Sequence, residues 1–125
     1  MNRSMMTAAA VTALWASAVS AQAADVKLWR LDCGTIQVNN LELFSDVFAY
    51  VGQKRRLTDS CYLIQHGADY MIWDTGLPAG LKGAPLSNSD PLSPTLTQTL
   101  PEQLATLGVT QAQIAILGIS HYHFD

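Results

Sequence analysis

The distribution of apolar residues predicts short strands from the beginning of the chain's globular part. Residues 26–38, VKLWRLDCGTIQV, mix β-forming side chains on both alternating faces. Because neither face is purely polar, we expect a strand that is covered on at least part of both sides. Gly34 within this strand indicates a β-bulge or a close backbone approach.

A β-hairpin is predicted next. Residues 60–66 (SCYLIQH) and 70–76 (YMIWDTG) form two nearly continuous apolar arms, and residues 67–69 (GAD) form the turn. Arms of this kind are typical of strands buried on both faces. The preceding residues, 39–58, are predicted to form a loop with a short helical or extended piece. The basic residues 54–56 within it are predicted to lie in a solvated turn.

A long loop and a short helix follow the hairpin. Residues 77–99 hold four of the five prolines, and we expect a loop of the kind that borders binding sites. Leu100, Leu104 and Leu107 then lie at helical spacing, with Pro101 in the first turn and Gly108 at the end.

The last apolar run completes a layered order. Thr110 is predicted to cap a short turn, and residues 114–119 are predicted to form another buried strand. The order of strand, hairpin, loop, helix and strand predicts an α/β domain with at least one sheet face covered by a helix.

The first residues of the chain follow a different pattern. Arg3 precedes an uncharged run rich in Ala and Val, and Ala21-Gln22-Ala23 supplies small residues where a signal peptidase cleaves. The run is too short and too polar for a transmembrane helix. We expect residues 1–23 to be a signal peptide and the mature domain to comprise 24–125, which predicts a periplasmic or secreted protein. A buried amino-terminal helix is the alternative.

Net charge and cysteine content narrow the range of possible partners and bear on the compartment. The net charge of -3 becomes -4 when Arg3 is removed with the signal peptide, which gives no electrostatic reason to expect nucleic acid or an anionic membrane as partner. In an oxidising compartment Cys33 and Cys61 could pair and close a loop of about thirty residues. They could equally be two small buried apolar residues.

The end of the chain, ISHYHFD, carries the strongest chemical signal. In an extended segment His121, His123 and Asp125 would point one way, while Tyr122 and Phe124 would point the other way and anchor the segment in the core. Two imidazoles and a carboxylate after a buried strand form a ligand set for zinc or a similar ion. The alternative is a pair of surface histidines without a ligand.

A second candidate group precedes the long loop. In WDTG (73–76), Asp74 ends a buried strand, so it either organises a ligating histidine through hydrogen bonds or caps a turn in which Gly76 has positive φ. His66 borders the hairpin turn, and we expect it to be an exposed residue at the end of a strand rather than a ligand.

Taken together, YMIWDTGLP and LATLGVTQAQIAILGISHYHFD resemble the metallo-β-lactamase superfamily. Within it, LWRLDCGTI, CYLIQHG, WDTGLP and GISHYHFD look most like N-acyl homoserine lactonases. The resemblance implies an α/β fold, the amino-terminal half of an αββα metallo-β-lactamase sandwich. It also implies two zinc-class divalent ions and a metal-bound hydroxide that opens a small-molecule lactone or ester.

The same resemblance assigns roles to the candidate residues. His121 and His123 would bind the first metal, Asp125 would bind the second and take part in catalysis, and Asp74 would be a buried carboxylate that supports the site. The family signature, His-x-His-x-Asp-His, needs a histidine directly after Asp125, and its remaining ligands lie in a second half of similar length. We therefore expect the chain to be a fragment that folds poorly and is inactive alone.

Two other functions remain open at this stage. One is another hydrolase of the same superfamily, acting on a β-lactam, a thioester, or a phosphate or sulfate ester. The other is a non-catalytic periplasmic module that binds metal or a partner.

Overall fold

A computed structural model describes residues 25–125, so the predicted signal peptide, residues 1–23, lies outside the described residues. The described part is a five-stranded mixed sheet with one α-helix. Its elements are β1 (Val26–Val38), β2 (Arg55–His66), β3 (Asp69–Trp73), β4 (Leu92–Thr95), α1 (Leu100–Thr106) and β5 (Ile114–Gly118), with short 3-10 turns at Leu41–Phe44, Ala79–Leu81 and Gln111–Gln113.

The strands are arranged in the order β4-β1-β2-β3-β5. Neighbouring strands are antiparallel except β3 and β5, which are parallel and are connected through α1. Parallel neighbours need such a crossover, and the helix packs on the sheet face that it crosses. Across residues 25–125, the helices are all too short or too polar to span a membrane.

The bulge predicted at Gly34 is present. The pairing of β1 with β2 shifts register between Asp32 and Gly34, and Gly34 has a φ of 134°. A side chain at this position would also meet Leu77, whose Cγ lies 2.8 Å from where a Cβ would be. Gly34 therefore provides both the bulge and the close approach of the loop that follows β3.

The hairpin is confirmed, but β2 begins earlier than predicted. Arg55 pairs with Val38 and Arg56 pairs with Gln37, so these basic residues extend a strand and do not form a turn. Their side chains are exposed, which satisfies their charge while the backbone completes the ladder with the end of β1.

The prediction of a continuous loop over 77–99 is wrong. Leu92–Thr95 form β4, which pairs with the second half of β1, with Thr95 opposite Thr35 and Leu92 opposite Val38. Pro94 is tolerated because β4 is an edge strand with a neighbour on one side only. The pairing depends on a distant segment, so the local Pro- and Ser-rich sequence did not indicate it.

Helix α1 begins and ends close to the predicted positions. The Thr99 hydroxyl accepts a hydrogen bond from the Glu102 amide, and the Glu102 carboxylate accepts one from the Thr99 amide at 2.9 Å. This is a capping box, which satisfies two amides at the helix start. The Lys82 ammonium hydrogen-bonds to Glu102 and lowers the pKa of that carboxyl to about 2. Of the predicted apolar stripe, Leu104 is buried, whereas Leu107 is half exposed.

One face of the sheet is buried and the other is not. We call the covered face the side that packs against α1, where the core consists of Leu31, Cys33, Cys61, Leu63, Ile72, Leu104 and Val109. We call the open face the opposite side of β1, β2, β3 and β5, which includes Leu28, Ile64, Met71, Trp73 and Ile116. The expectation of strands buried on both faces is therefore wrong for residues 25–125: Leu28 is 63% exposed and Ile116 is 56% exposed.

The two cysteines, left open by the sequence, form a disulfide. Cys33 and Cys61 lie on the covered face of β1 and β2, with their Cα atoms 5.7 Å apart. The bond closes a loop with a sequence separation of 28. Closing a loop of this length in the unfolded chain contributes on the order of 3 kcal/mol to stability.

Candidate metal centre

The candidate ligands lie just beyond the end of β5. The strand ends at Gly118, and residues 119–125 bend instead of continuing as a strand. The bend brings ligand atoms of His121, His123 and Asp125 to within 4.8 Å of one another. The predicted set is therefore grouped in space, although by a bend and not by strict alternation.

The same bend contradicts the predicted role of the aromatic residues between the ligands. Tyr122 is 94% exposed and Phe124 is 56% exposed, so neither is anchored in the core. Extended geometry would have put both on the inner side, but the backbone turns before that alternation is established. The ligands must therefore be positioned by other contacts, which come from the loop that follows β3.

His121 has a defined neighbour at each ring nitrogen. Its Nδ1 lies 2.9 Å from the Ser120 hydroxyl, within hydrogen-bond distance, and its Nε2 lies 3.3 Å from an Asp125 carboxylate oxygen. The rings of His121 and His123 meet edge to face, with centroids 4.9 Å apart. A histidine whose Nδ1–H donates to a neighbouring oxygen presents the lone pair of Nε2 to a cation, and the Ser120 hydroxyl oxygen can accept in this way.

Asp74 supports the ligand segment from the end of β3. Its Oδ1 accepts a hydrogen bond from the Ser120 amide at 2.7 Å, and its own amide donates to the Gly118 carbonyl at 2.9 Å. Asp74 has a φ of 62°, in the left-handed region, where a non-glycine residue is found only when its surroundings hold it there. Gly76 also has positive φ, at 74°. Asp74 thus hydrogen-bonds the backbone of the residue before His121, as the first interpretation of the WDTG sequence requires, and its role at a metal centre remains a prediction.

Asp59 is a neighbour of the site that sequence reasoning missed. Burial raises the pKa of this carboxyl to about 6, and the nearby charges of Asp125 and Asp74 add to the shift. One of its oxygens is buried and has no hydrogen-bond partner. Asp59 has the same parity in β2 as Cys61 and Leu63, which puts it on the covered face, but the predicted strand began at residue 60 and did not include it.

A cavity of about 300 Å³ opens beside the ligands. It borders His123 and Asp125 at one end, and the rest of its wall is mainly apolar. The apolar lining consists of Ile36, Phe44, Leu57, Leu92 and Phe124. Such a cavity can hold a hydrocarbon group next to a polar reacting group. His66, by contrast, is exposed at the end of β2, as expected.

The donor set fits a zinc-class divalent ion. Two imidazoles and one carboxylate are ligands that zinc accepts, and three protein ligands leave a coordination position for water or substrate. The Asp59 carboxylate, one oxygen of which has no hydrogen-bond partner, lies near Asp125 and Asp74 and adds negative charge that a cation would offset. His121, His123 and Asp125 are the residues that would hold the ion.

Two solved structures are similar to this fold. One comes from a study of indirect contributions of mutations to the optimization of a new enzyme function, with a TM-score of 0.64 and 21% sequence identity. It is matched over 80% of this chain and 42% of its own. Another is an N-acyl homoserine lactone hydrolase with the product N-hexanoyl-L-homoserine bound at the catalytic metal center, with a TM-score of 0.63 and 19% identity. It is matched over 78% of this chain and 41% of its own.

The chain therefore spans less than half the length of these two solved proteins. Among curated protein sequences, none is significantly similar to it. The sequence profile of the metallo-beta-lactamase superfamily matches residues 55–125, which is more than half of the chain and includes β2, β3, α1, β5 and the ligand segment. The chain belongs to the metallo-beta-lactamase superfamily.

Proposed function

We propose that this chain is the amino-terminal part of an exported, metal-dependent hydrolase that opens lactone rings such as those of N-acyl homoserine lactones. The observation that carries the proposal is the grouping of His121, His123 and Asp125 within 4.8 Å at the carboxyl end of β5. The ends of strands in α/β sheets are where sites are usually built.

The chemistry follows from the donor set. Bound divalent ions supply an activated water at neutral pH and a Lewis acid for a carbonyl oxygen. Hydrolysis adds one water across the bond between the acyl carbon and the ring oxygen, giving a carboxylate, an alcohol and a proton. Asp125 lies where its carboxylate can bind an ion or orient the attacking water, and His121 is held in place through Ser120.

The apolar cavity supports a substrate with a hydrocarbon arm. The similar solved hydrolase holds N-hexanoyl-L-homoserine, which joins a polar head to a short acyl chain. In this chain, the space beside His123 and Asp125 is lined by Phe44, Leu57 and Leu92, among other apolar residues. An acyl chain in that cavity would leave its carbonyl end near the ligands.

The number of ligands supports a longer protein. Three donors close together suit one ion, whereas two zinc-class ions need further ligands from outside residues 25–125. The chain spans 42% and 41% of the two similar solved proteins. We infer that a second half completes both the metal centre and the layer over the open face.

Export is the remaining part of the proposal. Arg3, the uncharged run after it and Ala21-Gln22-Ala23 support a signal peptide over residues 1–23. The disulfide between Cys33 and Cys61 supports the same route, because structural disulfides form mainly in oxidising compartments. Mass spectrometry of the periplasmic protein should find a mature amino terminus at Ala24. A product that keeps Met1 and stays in the cytoplasm contradicts export.

Activity tests the central proposal directly. The 125-residue chain and the longest product of its reading frame should be assayed with zinc, on N-hexanoyl homoserine lactone, a β-lactam, a thioester, and phosphate and sulfate esters. We expect lactone opening by the longer product, lost on chelation and restored by zinc, and none by the 125-residue chain. Preference for another substrate would reassign the enzyme within the superfamily, and metal-independent turnover would contradict the proposed chemistry.

A further inference from the structure

The disulfide lies directly against the turn that carries Asp74. A Cβ on Gly76 would lie 2.9 Å from the Cys33 sulfur and 2.8 Å from the Cys33 carbonyl oxygen, closer than side chains approach. The Leu77 amide also donates a hydrogen bond to that carbonyl at 3.0 Å. Backbone and sulfur therefore contact the turn from the same residue.

The same turn also contacts the ligand segment. Asp74 lies two residues before Gly76, and its carboxylate accepts the 2.7 Å hydrogen bond from the Ser120 amide. The Ser120 hydroxyl then lies 2.9 Å from Nδ1 of His121. A continuous series of short contacts thus leads from the sulfur of Cys33 to the imidazole of a metal-ligand candidate.

This series matters because the ligand segment has little support of its own. Residues 119–125 form no regular secondary structure, and Tyr122 and Phe124 are exposed. Asp74 is held at a φ of 62° only by its surroundings, and the disulfide beneath Gly76 is part of them. A shift of the turn would move the Asp74 carboxylate away from the Ser120 amide.

We propose that the Cys33–Cys61 disulfide is a positioning element of the metal centre, acting through Gly76, Asp74 and Ser120 on His121. Its role exceeds the closure of a loop in the unfolded chain. The role of His121 as a ligand rests on the proposed function, but the coupling between the disulfide and Ser120 does not. The two ideas can therefore fail separately.

The sharpest test keeps the disulfide and moves the turn. Gly76→Ala places a methyl group against Cys33, whereas Gly83→Ala is a matched control: Gly83 has nearly the same φ, 72°, with no atom within 4 Å of the added Cβ. Both variants carry the strain of an alanine at positive φ, so their difference isolates the contact with Cys33. A second variant, Cys33→Ala with Cys61→Ala, removes the disulfide itself.

Two measurements separate positioning from general stability. Amide hydrogen exchange in the metal-free chain measures the protection of the Ser120 amide relative to that of Leu63. This protection should fall at least tenfold in Gly76→Ala and in the disulfide-free variant. It should stay unchanged in Gly83→Ala. The zinc dissociation constant should rise by at least tenfold in the same two variants, the size typical when support of a ligating histidine is lost.

Equal behaviour of Gly76→Ala and Gly83→Ala in both measurements overturns the proposal. If the disulfide-free variant does not fold, the glycine pair still tests whether the contact between Gly76 and Cys33 controls Ser120, because both members keep the disulfide. If the longest product of the reading frame binds no zinc, the proposed function is contradicted, while Ser120 exchange still tests the coupling. A tenfold loss of zinc affinity with unchanged Ser120 exchange would contradict the route through Asp74.

Discussion

The two faces of the sheet differ sharply although the same strands build both. On the covered face Leu63 is fully buried and Ile72 is 2% exposed, beneath α1 and beside the disulfide. On the open face Leu28 is 63% exposed and Trp73 is 40% exposed. Apolar side chains of this size on a sheet face usually pack against another layer. The difference shows that residues 25–125 complete one layer of a sandwich and leave the other face without a partner layer of their own.

The metal-ligand segment shows the same difference between packed and exposed residues. Asp74 is supported from the covered face, because the turn that carries it contacts Cys33 of the disulfide. His121 and His123 are exposed beyond the end of β5, whereas Asp125 is partly buried. The position of the site relative to the two faces explains why its supporting residues are well packed and its ligands are not.

The largest expected effect compares one leucine from each face. Leu63→Ala should lower the free energy of unfolding by about 3 kcal/mol, because it leaves a cavity in a closed core, whereas Leu28→Ala should change it by less than about 0.5 kcal/mol. Urea denaturation of the purified chain measures both. Equal losses would mean that the open face is packed in solution, which would remove the contrast between the faces.

A smaller effect is expected from Asp59, a carboxylate on the covered face. Its pKa is raised from 3.8 to about 6 in the folded chain, so the folded state holds its proton more tightly and loses stability as pH rises from about 4 through about 6. Asp59→Asn should therefore stabilise the metal-free chain at pH 8 by on the order of 1 kcal/mol, allowing for solvent screening of a half-exposed group, and have little effect at pH 4.

Thermal unfolding of this variant at the two pH values gives the answer. Asp46→Asn, at an exposed position, serves as the control. Stabilisation of similar size at both pH values would show that ionisation of Asp59 is not the cause. Added zinc should reduce the benefit of Asp59→Asn at pH 8, because a bound cation offsets the same negative charge.

The smallest effect concerns association through the open face. Leu28→Lys together with Ile116→Lys should lower self-association and the fluorescence of an apolar-surface dye on the order of twofold, with little change in unfolding free energy. Sedimentation velocity and dye titration measure these quantities. Unchanged association would show that the open face does not drive contacts between copies of the chain.

Short-range sequence patterns predicted most strands and the helix, whereas strand pairing and burial depend on contacts between distant residues. The bulge at Gly34, the hairpin and helix α1 follow from short-range patterns, and each is present. Strand β4 was missed because its identity comes from pairing with β1, not from its own Pro- and Ser-rich sequence. The exposure of apolar residues in β3 and β5 was missed, because an apolar run does not reveal whether the layer that covers it lies within residues 25–125.

For the candidate site, too, the sequence predicted some residues and missed others. Alternating residue types indicated His121, His123 and Asp125, and the structure brings them together, but their role as ligands remains a prediction. The outward position of Tyr122 could not be read from alternation, because the chain bends after Gly118. Asp59 required knowing that the end of the chain returns to β2, a contact that only the fold supplies.

Zinc binding by histidine variants tests the central claim most directly. Titration of the purified protein against a competing chelator should show that His121→Ala and His123→Ala each raise the zinc dissociation constant at least tenfold, about 1.4 kcal/mol. His66→Ala should leave it unchanged, because His66 is exposed and lies outside the cluster. Equal affinity in all three variants, or no zinc binding by the unaltered protein, would contradict the claim that the end of this chain is part of a metal centre.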